Sequence, residues 1–193
     1  MKHGRRSISL TLGLALLSSL LAFHAGCKNM TEQEIKAAME IKLLDTKWVA
    51  KEYKVWPNAK LTLVPTVTFR VKNISAKPLT YVNFNGIFKI KDDVENRGDQ
   101  FLAAIRNKPV LPGEWSDPIT LKSNFGVEGH RLADFQNNPQ WNTYFVKIFV
   151  QTRGSQHVLF AEWPISRKID FKEDQPAHQG TNRKQEPVKK SGE

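Results

Sequence analysis

The segments LTLVPTVTFRVKN at 61–73 and VNFNGIFKI at 82–90 decide how this chain folds. In the first, Leu61, Leu63, Pro65, Val67, Phe69 and Val71 fall on one face of an extended chain, with Thr62, Thr66, Thr68, Arg70 and Lys72 on the other. That two-residue period marks a half-buried strand. The second segment repeats it with Val82, Phe84, Gly86, Phe88 and Ile90. The polar stretch from Asn73 to Pro78 between them reads as the turn of a hairpin. Strands with one apolar face must cover it with a second layer, so the expected fold is an all-β antiparallel sandwich with this pair at its centre.

Working outward, Trp48 to Trp56 reads as an edge strand, because its charges interrupt the alternation. Phe101 to Arg106 and Ile119 to Lys122 read as strands around a turn at Pro112-Gly113. Tyr144, Val146, Ile148 and Val150 share a face within a strand from Trp141 to Gln151. Arg153-Gly154-Ser155-Gln156 then turns the chain into Val158 to Trp163, with Ile165 to Phe171 as a closing segment. Glu128 to Asn138 reads as a short helix or ordered loop. On the N-terminal side, Thr31-Glu32-Gln33-Glu34 has the spacing of a capping box. It opens an amphipathic helix over 32–44, either a tether on the sandwich edge or a docking surface.

The run Val71-Lys72-Asn73, then Pro78-Leu79 and Val82, then Phe88 to Asp92, then Leu111-Pro112-Gly113-Glu114 resembles FxLYD-type domains of prokaryotic envelope lipoproteins. The resemblance spans about residues 67–121, and Ile90 and Lys91 stand where the family usually has Leu and Tyr. It implies an immunoglobulin-like sandwich without enzymatic activity.

The N-terminus points to the same compartment. Lys2, Arg5 and Arg6 precede an apolar stretch from Ile8 to Phe23 that is short for a spanning helix, and Ala25-Gly26 supplies the small residues of a cleavage site. Ala25-Gly26-Cys27 resembles a bacterial lipobox, with His24 where Leu is usual. The resemblance implies a diacylated Cys27, which is the chain's only cysteine, so no disulfide can staple the fold. Two acyl chains suffice for stable membrane anchoring. Lys28, in place of an Asp that would retain a lipoprotein at the inner membrane of enteric bacteria, fits outer-membrane delivery facing the periplasm. The expected organisation is a signal over 1–27, a tether and helix over 28–46, a sandwich over 47–171 and a disordered tail over 172–193, whose polar composition has too little to bury.

Removing Lys2, Arg5 and Arg6 from the formal charge of +10 leaves +7. These bases are scattered through alternating positions with no basic stripe, which argues against nucleic acid and toward envelope partners. Asp93, Glu95 and Asp99 lie in an acidic loop, but Arg97 stands where a calcium loop needs a ligand. His130, with Glu128 and Asp134 nearby, and the isolated His157 and His178 make no nucleophile, base or metal-ligand set. The expectation is a non-enzyme with no metal or cofactor. Trp48, Trp56, Trp115, Trp141 and Trp163 are either core and strand-end packing or an exposed aromatic platform. The expected role is an interaction or assembly module with an envelope protein partner. The alternative is a lipoprotein that binds glycan or a small apolar molecule on that platform.

Overall fold

The computed structural model describes residues 29–138 and 141–173. The chain runs α1 (Glu32–Ala38), β1 (Met39–Lys54), β2 (Lys60–Asn73), β3 (Val82–Ile90), β4 (Asp99–Ile105), β5 (Ile119–Lys122), β6 (Val127–Gly129), α2 (Leu132–Gln136), β7 (Tyr144–Gln151), β8 (Val158–Pro164) and β9 (Ile169–Asp170). One sheet has the order β5–β2–β1–β9, with β6 also on β2, and the other is β4–β3–β7–β8. All pairings are antiparallel except the short β1–β9 contact. An E–B–A sheet facing a C′–C–F–G sheet is the immunoglobulin-like arrangement of a β-sandwich.

The core forms between the layers. Phe69 of β2 meets Phe84 of β3 edge-on at 5.1 Å, and both are fully buried. A side chain at Gly86 would meet Leu121 of the opposite sheet, so glycine lets the sheets approach there. The faces read for β3 hold from Val82 to Phe88, where Val82, Phe84, Gly86 and Phe88 are buried and alternate with more accessible residues, while Ile90 at the strand's end is only half-buried.

The expected hairpin between 61–73 and 82–90 does not form. β2 pairs with β1 along its whole length, from Met39 opposite Asn73 to Lys54 opposite Lys60, whereas β3 lies in the other sheet. Residues 74–81 therefore cross between layers, and Asn73 holds the crossing. Its Nδ2 donates to the carbonyls of Lys77 and Val110, both at 2.8 Å. Its Oδ1 accepts from the Ser75 amide at 2.9 Å and the Ser75 hydroxyl at 2.8 Å. Its own N–H donates to Glu114 and its carbonyl accepts from Gly113. A fully buried amide with every group used fixes where the chain leaves one sheet for the other.

Two other expectations change. The helix stops at Ala38, and Met39, Ile41 and Leu43 pack on the core as part of a 16-residue strand. Both the helical and the two-residue period fit that short apolar run, and pairing with β2 decides between them. The capping box itself forms, with Glu34 N–H on the Thr31 hydroxyl and Thr31 N–H on the Glu34 carboxylate. Bulges after Leu43 and Ala50 scramble the alternation of β1, which made it read as beginning only at Trp48. The outer face of β2 is not open either: Thr62, Val64 and Thr66 are buried. The carbonyl of Pro65 accepts from Ser123 N–H, so its missing N–H falls on the same side, at the break between β5 and β6. Gly126 lies against Leu63 and Val64 there, too close to carry a side chain.

Asn73→Leu removes four side-chain hydrogen bonds at roughly 1 kcal/mol each. We expect a loss of about 2–4 kcal/mol in denaturant unfolding, with an unchanged midpoint showing that the crossing is held by other contacts.

Candidate functional site

The two long sides of the sandwich are finished differently. On one, α1 packs against β1 and β8, burying Ile35 and Ala38. On the other, β4 and β5 are the last strands of their sheets and hold apart an open cavity of about 670 Å³. Its walls run from Leu102 to Val110 and from Glu114 to Thr120, so it is a groove along two strand edges.

The edge of β4 is free to pair. Asp99 exchanges both backbone groups with Asn124, its N–H donating to Asn124 Oδ1 and its carbonyl accepting from Asn124 N–H. Backbone groups alternate sides along a strand, so Gln100 and Leu102 pair with β3, whereas Phe101 and Ala103 turn theirs away from β3, with Ala103 lining the groove. Gln100 closes the lower end by accepting from Lys122 N–H across the layers at 2.5 Å. Above it, β4 pairs with β3 alone among the described strands. Phe101 is 52% exposed beside it.

The five tryptophans do not share a surface. Trp48 is buried and meets Trp141 and Tyr144 edge-on at 5.0 Å, and Trp141 also touches Phe135. Trp163 is partly buried 5.9 Å from Phe69. Trp115 lies at the end of the β4–β5 groove under Lys72, and Trp56 stands alone at the β1–β2 turn, 84% exposed. Three are packing residues, and the exposed pair is divided between two places. Only Trp115 lines the groove.

The polar clusters read from the sequence are also accounted for. In the loop after β3, Asp93 accepts from Arg97 Nε and Nη2 and from Glu95 N–H. The Glu95 amide first, then Arg97, holds the Asp93 carboxyl below the usual range. Asp134 accepts from the amides of His130 and Arg131 at the start of α2, and the His130 amide is the main cause of its lowered pKa. His130 Nδ1 lies 3.0 Å from the Ala59 carbonyl. The residues His130 and Asp134 thus organise a helix start. Among the described residues no group of three His, Cys, Asp or Glu side chains could hold one metal ion, and no helix is long and apolar enough to cross a membrane. Cys27, His178 and most of the expected tail lie outside the described residues.

The fold is a β-sandwich in which, above Gln100, β4 has no partner on its outer edge among the described strands. No family model matches the chain, and no curated protein matches it. Among solved structures, a Bordetella pertussis protein provisionally described as ApaA aligns with 13% identity and a TM-score of 0.36, over 67% of this chain and 93% of that one. Likeness at that level carries no conclusion.

The lowered carboxyls set a pH dependence. A group whose pKa is lower folded than unfolded stabilises above its unfolded value and loses that contribution as pH falls through the folded one. Melting should therefore be insensitive to Asp93 and Asp134 protonation near neutrality and weaken below about pH 4. Asp134→Asn should reduce this acid sensitivity, and an unchanged pH profile of melting would remove Asp134 from the cause.

Proposed function

We infer that the chain is a lipid-anchored protein of the bacterial envelope whose sandwich is a non-catalytic interaction module, taking an extended segment of a partner protein along β4. The observation that carries this reading is the unpaired β4 edge above Gln100, where Phe101 and Ala103 turn their backbone groups away from β3 and Ala103 lines the groove. Strand addition to such an edge uses main-chain hydrogen bonds for affinity and flanking pockets for choice of side chain. The dispersal of the tryptophans favours this over a glycan platform, since the groove contains Trp115 alone among them. The resemblance of residues 67–121 to FxLYD-type domains agrees with the compartment.

The anchor is Cys27, acylated behind Ala25-Gly26. Three residues separate it from the N-cap Thr31, a reach of at most roughly 13–14 Å over four residue steps. Met30 already packs on the core, so the sandwich would be held close to the bilayer. Lys28 supports delivery to the outer membrane, facing the periplasm.

Cys27→Ser should abolish acylation and release the protein from the membrane fraction; unaltered fractionation and mass would overturn the anchor. Ala103→Pro deletes an N–H that faces the groove and leaves the β3–β4 ladder intact. It should fold with nearly unchanged melting yet lose the partners recovered by crosslinking the wild-type protein in its own envelope. Retention of the same crosslinks would place the partner elsewhere.

A further inference from the structure

A second cavity opens at the end of the β4–β3–β7–β8 sheet, where Tyr81, Arg106 and Arg153 meet. Tyr81 precedes β3, Arg106 follows β4 and Arg153 lies in the β7–β8 turn. The cavity is about 320 Å³, and its other polar lining residues are Asn83, Gln151 and Thr152. Its lining includes two arginines and no acid.

Three features show a site built to hold positive charge. The guanidinium carbons of Arg153 and Arg106 lie 5.5 and 5.9 Å from the centre of the one Tyr81 ring. Neither arginine has a carboxylate within ion-pair distance among the described residues, although many other bases of the domain do. Both cations lie against the one aromatic ring. Arg106 is also fixed from below: its Nη2 donates to Asn83 Oδ1 at 3.1 Å, Asn83 Nδ2 donates to Gln151 Oε1, and Gln151 Nε2 donates to the Ser155 carbonyl.

Two costs are unexplained by packing. Tyr81 has φ of 55°, a left-handed conformation that a bulky residue adopts only when its surroundings impose it. Thr152 is 7% exposed, and its Oγ1 has no hydrogen-bond partner. Thr152 lines the same cavity as the two uncompensated arginines, a set of donors without an acceptor.

We propose that this cavity is an anion site for a phosphate group, held by Arg106 and Arg153 with Thr152 as a further donor. Guanidinium groups bind phosphate oxygens in paired hydrogen bonds, and a phosphate supplies the negative charge that two unpaired arginines lack. The phosphate can belong to a lipid headgroup or be free. Asn29, the first described residue, lies against Gly154 in the same turn, beside this cavity. The site does not require acylation of Cys27, and it touches the β4 groove only through Arg106, which lines both.

The test is calorimetric titration of the full chain in a neutral detergent with two probes at constant ionic strength, inorganic phosphate and a short-chain soluble phosphatidylglycerol. Saturable binding of either probe is expected, weakened at least tenfold by Arg106→Gln or Arg153→Gln, both exposed enough to leave melting unchanged. Tyr81→Phe should keep binding, because it keeps the ring, whereas Tyr81→Ala should lose most of it. Binding of the lipid alone assigns a headgroup, and binding of phosphate assigns a free phosphate group. No saturable heat with either probe, or full binding by the Arg106→Gln, Arg153→Gln double variant, overturns the site.

Discussion

The sandwich depends on Asn73. β2 and β3 each carry one strongly apolar face, and the chain must bring those faces together across two layers and not side by side in one. The buried amide does this by satisfying itself on Lys77, Val110 and Ser75 just where β2 ends. Its hydrogen bonds also draw in the segment around Val110 to Glu114, so the link from β4 to β5 is tied to the same point. With no disulfide available, this polar knot and the Phe69–Phe84 contact give the two sheets their relation. A buried polar group so fully satisfied adds specificity as well as stability, because any other crossing leaves several of its bonds unmade.

That arrangement makes the domain asymmetric. The side bearing β1 and β8 is covered by α1, whose capping box fixes where the helix begins. The side bearing β4 and β5 has only Gln100, Asn124 and their partners at its lower end. Edge strands usually carry devices against stray pairing. β4 has charge only at Asp99, its first residue, and otherwise reads Gln, Phe, Leu, Ala, Ala and Ile. The groove and the arginine cavity share Arg106, so the two surfaces meet at one corner of the molecule.

Some of this was legible in the residues. Alternation in β3 and β7 correctly assigned inward and outward faces, and the capping box at Thr31 forms as spelled. The end of α1 was not legible, because Met39 to Leu43 satisfies both periods and only the partner strand β2 selects one. The tryptophans misled for a related reason. Composition counts indoles, but whether Trp48 and Trp141 lie inside together depends on α2 and β7 meeting β1 from elsewhere in the chain. The arginine cavity gave no signal at all: Tyr81, Arg106 and Arg153 are separated by 25 and 47 residues and match no motif.

The sequence by itself determined that the domain is layered β-structure and which side chains of its clearest strands face the core, since side-chain direction along a strand is local and alternates whatever the strand pairs with. It also determined the apolar stretch from Ile8 to Phe23 and the position of the lone cysteine. Only the tertiary structure decided which strands are neighbours. Alternation is identical for a strand paired edge to edge and one packed face to face, so the link at 74–81 could be read as a hairpin turn. The hydrogen bonds of Asn73, made to residues as far away as Val110, turn it into a crossing between sheets. With that crossing come the two ends of the sheets, and with them the open edge of β4 and the gathering of Tyr81, Arg106 and Arg153.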